Sequence, residues 1–255
     1  MKRIFITGSS DGLGLLAARA LIAEGHEVIL HARSRERAAV VSDLAPHIRG
    51  IVIGDLASAA ETRNIAEQVN HLGQMDAVIH NAGVYQSPGR GTTPEGHART
   101  LAVNVLAPWM LTALIQRPQR LIYLSSGLHL GGSDDLRDID WTTRAWDAGA
   151  AYADSKLYIT ALTLAFARHW PDVYSNCVHP GWVPTKMGGS GATDDLWKGY
   201  QTQTWLATSD DPAARVSGGY WHHHKQQPPA PAAADPRFQD RLTTLLAELT
   251  GLSLF

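Results

Sequence analysis

Tyr152 and Lys156 stand four residues apart in a stretch whose apolar spacing predicts a helix over Ala148–Trp170, so their side chains share one face. A phenol of pKa about 10 is a poor acid–base group at neutral pH, and an adjacent ammonium that stabilises the phenolate makes it a usable one. Alone the pair says little, because any surface helix can carry it. The run Thr7-Gly8-Ser9-Ser10-Asp11-Gly12-Leu13-Gly14 lies directly between a predicted strand, Arg3–Thr7, and a predicted helix, Gly12–Glu24. Its glycines permit a tight turn and a close approach of backbone to ligand. The helix start offers unpaired N–H groups and the positive end of its dipole to a pyrophosphate. Three residues separate the first two glycines, unlike G-x-G-x-x-G, and the Lys-Ser/Thr of a Walker-type loop is missing.

Proteins that bind NAD carry Asp or Glu at the end of the second strand, where it meets the ribose hydroxyls. Here the strand Val28–Leu30 runs into His31-Ala32-Arg33-Ser34-Arg35, with no acid before Glu36. A carboxylate there would repel a 2′-phosphate and Arg33 would pair with one, which favours NADP(H) over NAD(H).

The elements that must hold these groups alternate regularly. Short apolar strands (Arg3–Thr7, Val28–Leu30, Ile51–Ile53, Asp76–His80, Leu121–Leu124, Val173–Val178 and Gly219–Trp221) are separated by amphipathic helices. Ser34 is placed to cap a helix reaching Leu44, Ser58 one reaching Asn70, and a longer helix is predicted over Ala98–Ile115. Such a pattern implies an α/β fold with a parallel sheet covered on both faces. The polar stretch from Gly127 to Asp147 reads as a surface loop, its acids solvated, and 226–236 as a second loop.

The chain has 255 residues, enough for one α/β domain over 1–255. A net charge of −2 gives no basic field for nucleic acid or an anionic membrane. Cys177 is the only cysteine, which excludes an intrachain disulfide and a Cys-based zinc site. No stretch reaches the ~20 apolar residues of a membrane span. Ile4-Phe5-Ile6 is too short for a secretory core of roughly 7–15 residues, so a cytoplasmic location is expected. His222-His223-His224 carries no expected metal role, since alternate side chains of a strand point to opposite faces.

Taken together, Thr7-Gly8-x-x-x-Gly12-x-Gly14, Asn81-Ala82-Gly83, Ser125-Ser126, Tyr152-x-x-x-Lys156 and Pro180-Gly181 occur in the order and at the strand ends that resemble the short-chain dehydrogenase/reductase family. The resemblance implies a single-domain Rossmann fold, doubly wound, with a seven-stranded parallel sheet and helices on both faces. It also implies an Asn-Ser-Tyr-Lys tetrad. Asn104 matches the residue that holds a proton-relaying water. Ser126, in preference to Ser125, matches the one that binds the substrate carbonyl. Tyr152 is the implied acid–base, and Lys156 the ribose ligand that keeps the Tyr pKa low.

For the cofactor it implies Gly8, Ser10, Asp11, Gly12, Leu13 and Gly14 at the pyrophosphate and Arg33 at the 2′-phosphate. Asp55, Leu56, Asn81, Ala82 and Gly83 fall on the adenosine side. Tyr152, Lys156, Pro180, Gly181, Val183 and Thr185 fall on the nicotinamide side. Ser125-Ser126-Gly127-Leu128-His129, the long insert ending near Trp141 and His179-Pro180-Gly181-Trp182 resemble the retinol-dehydrogenase-like branch. The expected activity is NADP(H)-dependent interconversion of a carbonyl and a primary or secondary alcohol on an apolar small-molecule substrate. That substrate would sit under a lid at about 182–217 that includes Trp182, Met187, Trp197 and Trp205. Such an enzyme uses no metal, nucleic acid or membrane, and homo-oligomers are open to it. A non-catalytic NADP(H)-binding redox sensor is the alternative, which an intact Tyr152–Lys156 pair argues against.

Overall fold

A computed structural model describes residues 1–85 and 89–255. Seven strands run parallel: β1 (Arg3–Ile6), β2 (Glu27–Ala32), β3 (Gly50–Ile53), β4 (Ala77–His80), β5 (Arg120–Leu124), β6 (Tyr174–His179) and β7 (Gly219–His222). They stand in the order β3-β2-β1-β4-β5-β6-β7, and an eighth, β8 (Lys225–Gln227), pairs antiparallel with β7 at the edge. The seven parallel strands are those expected. The eighth overlaps the start of the loop expected over 226–236, and the sequence does not signal it because Lys-Gln-Gln is exposed and carries no apolar alternation. His223 and His224 make the two-residue turn into it, with φ of 47° and 62°. Two left-handed residues in succession match the twist of a tight hairpin.

Side chains alternate across β1. Ile4 and Ile6 enter a core with Leu21 of α1 (Gly12–Ala23) and Leu206 of α7 (Leu196–Thr208). Phe5 enters the opposite core, with Ile65 of α3 (Ala59–His71), Leu111 of α5 (Ala107–Leu114) and Phe166 of α6 (Ala148–His169). Both faces are therefore covered, which the continuous apolar strands require. The strand order reverses between β1 and β4, so their carboxyl ends open a crevice at a topological switch point.

Three departures bear on the site. The helix capped by Ser34 ends early, as α2 (Arg35–Ala39), and a 3₁₀ turn follows at Ser42–His47. Val40 and Val41 are poor helix formers, and Pro46 would break an α-helical continuation. The helix expected over Ala98–Ile115 consists of α4 (Arg99–Leu101), a π-helical turn at Ala102–Leu106 and α5. Pro108 has no N–H, so the α-register donor to the Asn104 carbonyl is missing and the chain widens there. Of the four acids expected to be solvated, Asp134 and Asp135 are exposed, whereas Asp138 and Asp140 are anchors. Asp138 accepts from the backbone N–H of Thr142, Thr143 and Arg144, and Asp140 accepts from the Ala98 N–H and binds His97. After β8 come α8 (Pro231–Ala234) and α9 (Pro236–Thr250), the latter burying Phe238, Leu242 and Leu246 on the core shared with α6. No helix among the described residues is long and apolar enough to cross a membrane.

Candidate active site

The carboxyl ends of the central strands surround one cleft of about 490 Å³. The turn after β1 forms its floor. Gly8 has φ +62°, and an added Cβ would stand 3.0 Å from Ala82, so only glycine fits. Asn81 Nδ2 donates to the Thr7 and Gly8 carbonyls at 3.0 and 3.3 Å, and the Ala82 N–H donates to Thr7 Oγ1 at 3.0 Å. Asp11 caps α1, accepting from the Gly12 N–H at 2.8 Å. Its other oxygen takes Lys186 Nζ at 2.6 Å and Arg37 at 2.9 Å, and these two cations hold its carboxyl down at about 2.

Of the expected cofactor residues, Gly8, Ser10, Asp11, Gly12 and Leu13 line the cleft, as do Arg33, Asp55 and Leu56. So do Asn81, Ala82, Gly83, Tyr152, Lys156, Pro180 and Thr185. Asp55 is fixed by the Ala57 N–H and by Arg99. Three expected residues do not face the cleft. Gly14 lies inside α1, where a Cβ would meet Asn81 at 2.4 Å, so it lets helix and strand approach. A Cβ on Gly181 would meet Asp194 at 2.6 Å, and Val183 is buried against Gly199. His31, Arg37 and Lys186 line the cleft without having been expected.

At the other end, α6 delivers Tyr152 and Lys156 from one face. Lys156 Nζ donates to the Leu124 carbonyl at 2.6 Å and lies 5.4 Å from the centre of the Tyr152 ring. Burial pushes Tyr152 up to about 12, although the Ser126 hydroxyl stands within hydrogen-bonding reach and eases its ionisation. Burial likewise pushes Lys156 down to about 8. Desolvation is the largest influence on both groups.

Ser125 lines the cleft and Ser126 does not, but their hydroxyls have different partners. Ser125 is buried, its Oγ paired with Thr160 Oγ1 at 2.7 Å, whereas Ser126 faces Tyr152. His129 holds the Ser126 carbonyl at 2.8 Å through Nδ1. Asn104 is buried behind the cleft. Its Nδ2 donates to the Val84 carbonyl and Ser155 Oγ, and its Oδ1 accepts from the Val84 N–H at 2.8 Å. Tyr85 lies against Tyr152, ring centroids 4.5 Å apart. Met187 lines the cleft and, with Trp182 and Trp197, is exposed, while Trp205 packs on Trp221. Among the described residues no group of His, Cys, Asp or Glu could hold a metal.

A glycine-rich turn at one end and a Tyr-Lys-Ser group at the other, across a doubly wound sheet, fit a dinucleotide-dependent oxidoreductase. Residues 8–215 match the family model for enoyl-(acyl carrier protein) reductases. A short-chain dehydrogenase of Penicillium rubens, chyC, is 42% identical over 257 residues, 100% of this chain and 99% of that protein. Human retinol dehydrogenase 13 is 32% identical, covering 98% of this chain and 85% of its own. A solved blue fluorescent protein from a metagenomic library, in complex with NADPH, superposes with a TM-score of 0.69 at 26% identity, covering 87% of this chain and 95% of its own. The chain belongs to the short-chain dehydrogenase/reductase family and is an oxidoreductase.

Proposed function

We propose that the protein reduces an apolar ketone or aldehyde with NADPH, and catalyses the reverse oxidation. The carrying observation is the convergence of Tyr152 and Lys156 at one end of a cleft whose other end presents Arg33 and Arg37, with the Ser126 hydroxyl in hydrogen-bonding reach of Tyr152. The donor set suits a 2′-phosphorylated dinucleotide. The turn from Gly8 to Leu13 would take the pyrophosphate at the start of α1, and the two guanidiniums would take the 2′-phosphate. The NADPH held by the metagenomic relative supports this choice. When bound, a reduced nicotinamide supplies the hydride.

The chain's own groups then handle one proton. The Ser126 hydroxyl donates to the substrate carbonyl oxygen and polarises it. Tyr152, protonated at neutral pH because burial raises its pKa, gives its proton to the alkoxide as it forms. The Lys156 ammonium stabilises the phenolate left behind and binds the ribose. The side chain of Asn104 is committed to Val84 and Ser155, so its backbone carbonyl, robbed of an α-register donor by Pro108, is the group to hold a water leading to Lys156.

Residues 182–217 serve as the lid, with Met187 and Trp182 supplying apolar cover and Gly188–Gly191 its pliable part. The test is NADPH oxidation across a panel of apolar aryl ketones and aldehydes. Tyr152→Phe should lose about 10³-fold in turnover while still binding NADPH. Full turnover in that variant would overturn the reading.

A further inference from the structure

Among the described residues His31 is the one imidazole lining the cleft, and no role in the reaction falls to it so far. It occupies β2 next to the turn after β1 and is 2% exposed. Its Nδ1 accepts from the Gly8 N–H at 2.9 Å, and its Nε2 meets the Gly54 carbonyl at 2.9 Å. An N–H needs a lone pair and a carbonyl needs a proton, so the ring must be the neutral Nε2–H tautomer. Burial pushes its pKa down and keeps it neutral.

Both partners matter to the cleft. Gly8, in a left-handed conformation, has no side chain to fix its peptide planes, and these are held from outside: the carbonyl by Asn81, the N–H by His31. Gly54 immediately precedes Asp55 and Leu56, which form the adenosine-side wall. The backbone of His31 is also stitched to the turn, since its N–H donates to Ser9 Oγ at 2.9 Å and its carbonyl accepts from the Ser9 N–H at 3.1 Å. One rigid ring thus sets the spacing between the pyrophosphate turn and the adenosine wall. An aliphatic side chain would leave both groups unpaired, and only a donor–acceptor side chain of similar reach could replace it.

We propose that His31 is a positioning residue for the adenosine half of the cofactor, acting through Gly8 and Gly54. The inference rests on the cofactor reading above. The test compares wild type, His31→Leu and His31→Gln by NADPH fluorescence titration. Calorimetry with 2′,5′-ADP, which carries the adenosine half alone, and thermal melting accompany it. His31→Leu is expected to weaken NADPH and 2′,5′-ADP in parallel, each by about tenfold, and His31→Gln, with an amide that offers both a donor and an acceptor, to recover most of that.

A merely structural histidine would lower the melting temperature and leave both dissociation constants unchanged. Folded His31→Leu protein that binds both ligands within about twofold of wild type would overturn the proposal. Should His31→Leu fail to fold, His31→Asn takes its place, being long enough for Gly8 but too short for Gly54 as well. Weakened binding supports the proposal and unchanged binding overturns it. Wild type that binds neither ligand overturns the cofactor reading, and this proposal with it.

Discussion

Tyr152 and Lys156 share one face of α6, with the ammonium 5.4 Å from the phenol ring centre and its proton directed to the Leu124 carbonyl. Burial governs both groups, raising Tyr152 to about 12 and lowering Lys156 to about 8. A raised phenol pKa keeps the proton in place across neutral pH. In a spectral titration of wild type minus Tyr152→Phe, no phenolate signal from Tyr152 should appear below a pH of about 11. Ionisation at or below pH 9 would show that Lys156 dominates instead.

Ser125 and Ser126 should differ sharply on substitution. Ser126→Ala removes the hydroxyl facing Tyr152 and is expected to reduce turnover by about 10²-fold with little loss of stability. Ser125→Ala removes the bond to Thr160 and is expected to cost about 1 kcal/mol of stability, leaving turnover within a few-fold. Steady-state kinetics and denaturant melts on the two variants check both statements.

The carboxyl ends of β4 and β6 carry histidines that fold in neutral form. Burial takes His80 down to about 3 and His179 to about 4, the latter with a smaller push from His222. Below the ordinary value of 6.5 an unfolded chain binds protons that these folded sites refuse. Stability should therefore fall as pH drops from 6.5 through 4, and the melting temperature of His80→Gln should fall less steeply. A melting temperature flat between pH 7 and 4 would contradict this.

Arg37 holds Asp11 and faces the same cleft as Arg33. Arg37→Ala is expected to weaken NADPH by about tenfold and NADH by no more than about twofold, measured by fluorescence titration. Equal loss for both nucleotides would assign Arg37 to the glycine turn rather than to the 2′-phosphate.

The parts of the site that were legible in the sequence are local. A glycine turn between strand and helix, Tyr and Lys four apart, and Arg33 just past β2 each declare themselves within a few residues. His31 and Lys186 did not, because their partners, Gly8 and Asp11, lie far away in the chain. The anchoring of Asp140 by His97 and Ala98 was invisible for the same reason. β8 escaped because a polar edge strand has no hydrophobic period to betray it. Gly14 and Val183 matched cofactor positions by motif but are spent on packing, which only the geometry around Asn81 and Gly199 reveals.

The most direct test of the central claim is a parallel titration of NADPH and NADH against wild type and Arg33→Asp, followed by nicotinamide fluorescence. The account predicts a wild type that prefers NADPH by at least about tenfold and a variant in which that preference collapses. Equal affinity of wild type for the two nucleotides, or a preference that survives in Arg33→Asp, would contradict it.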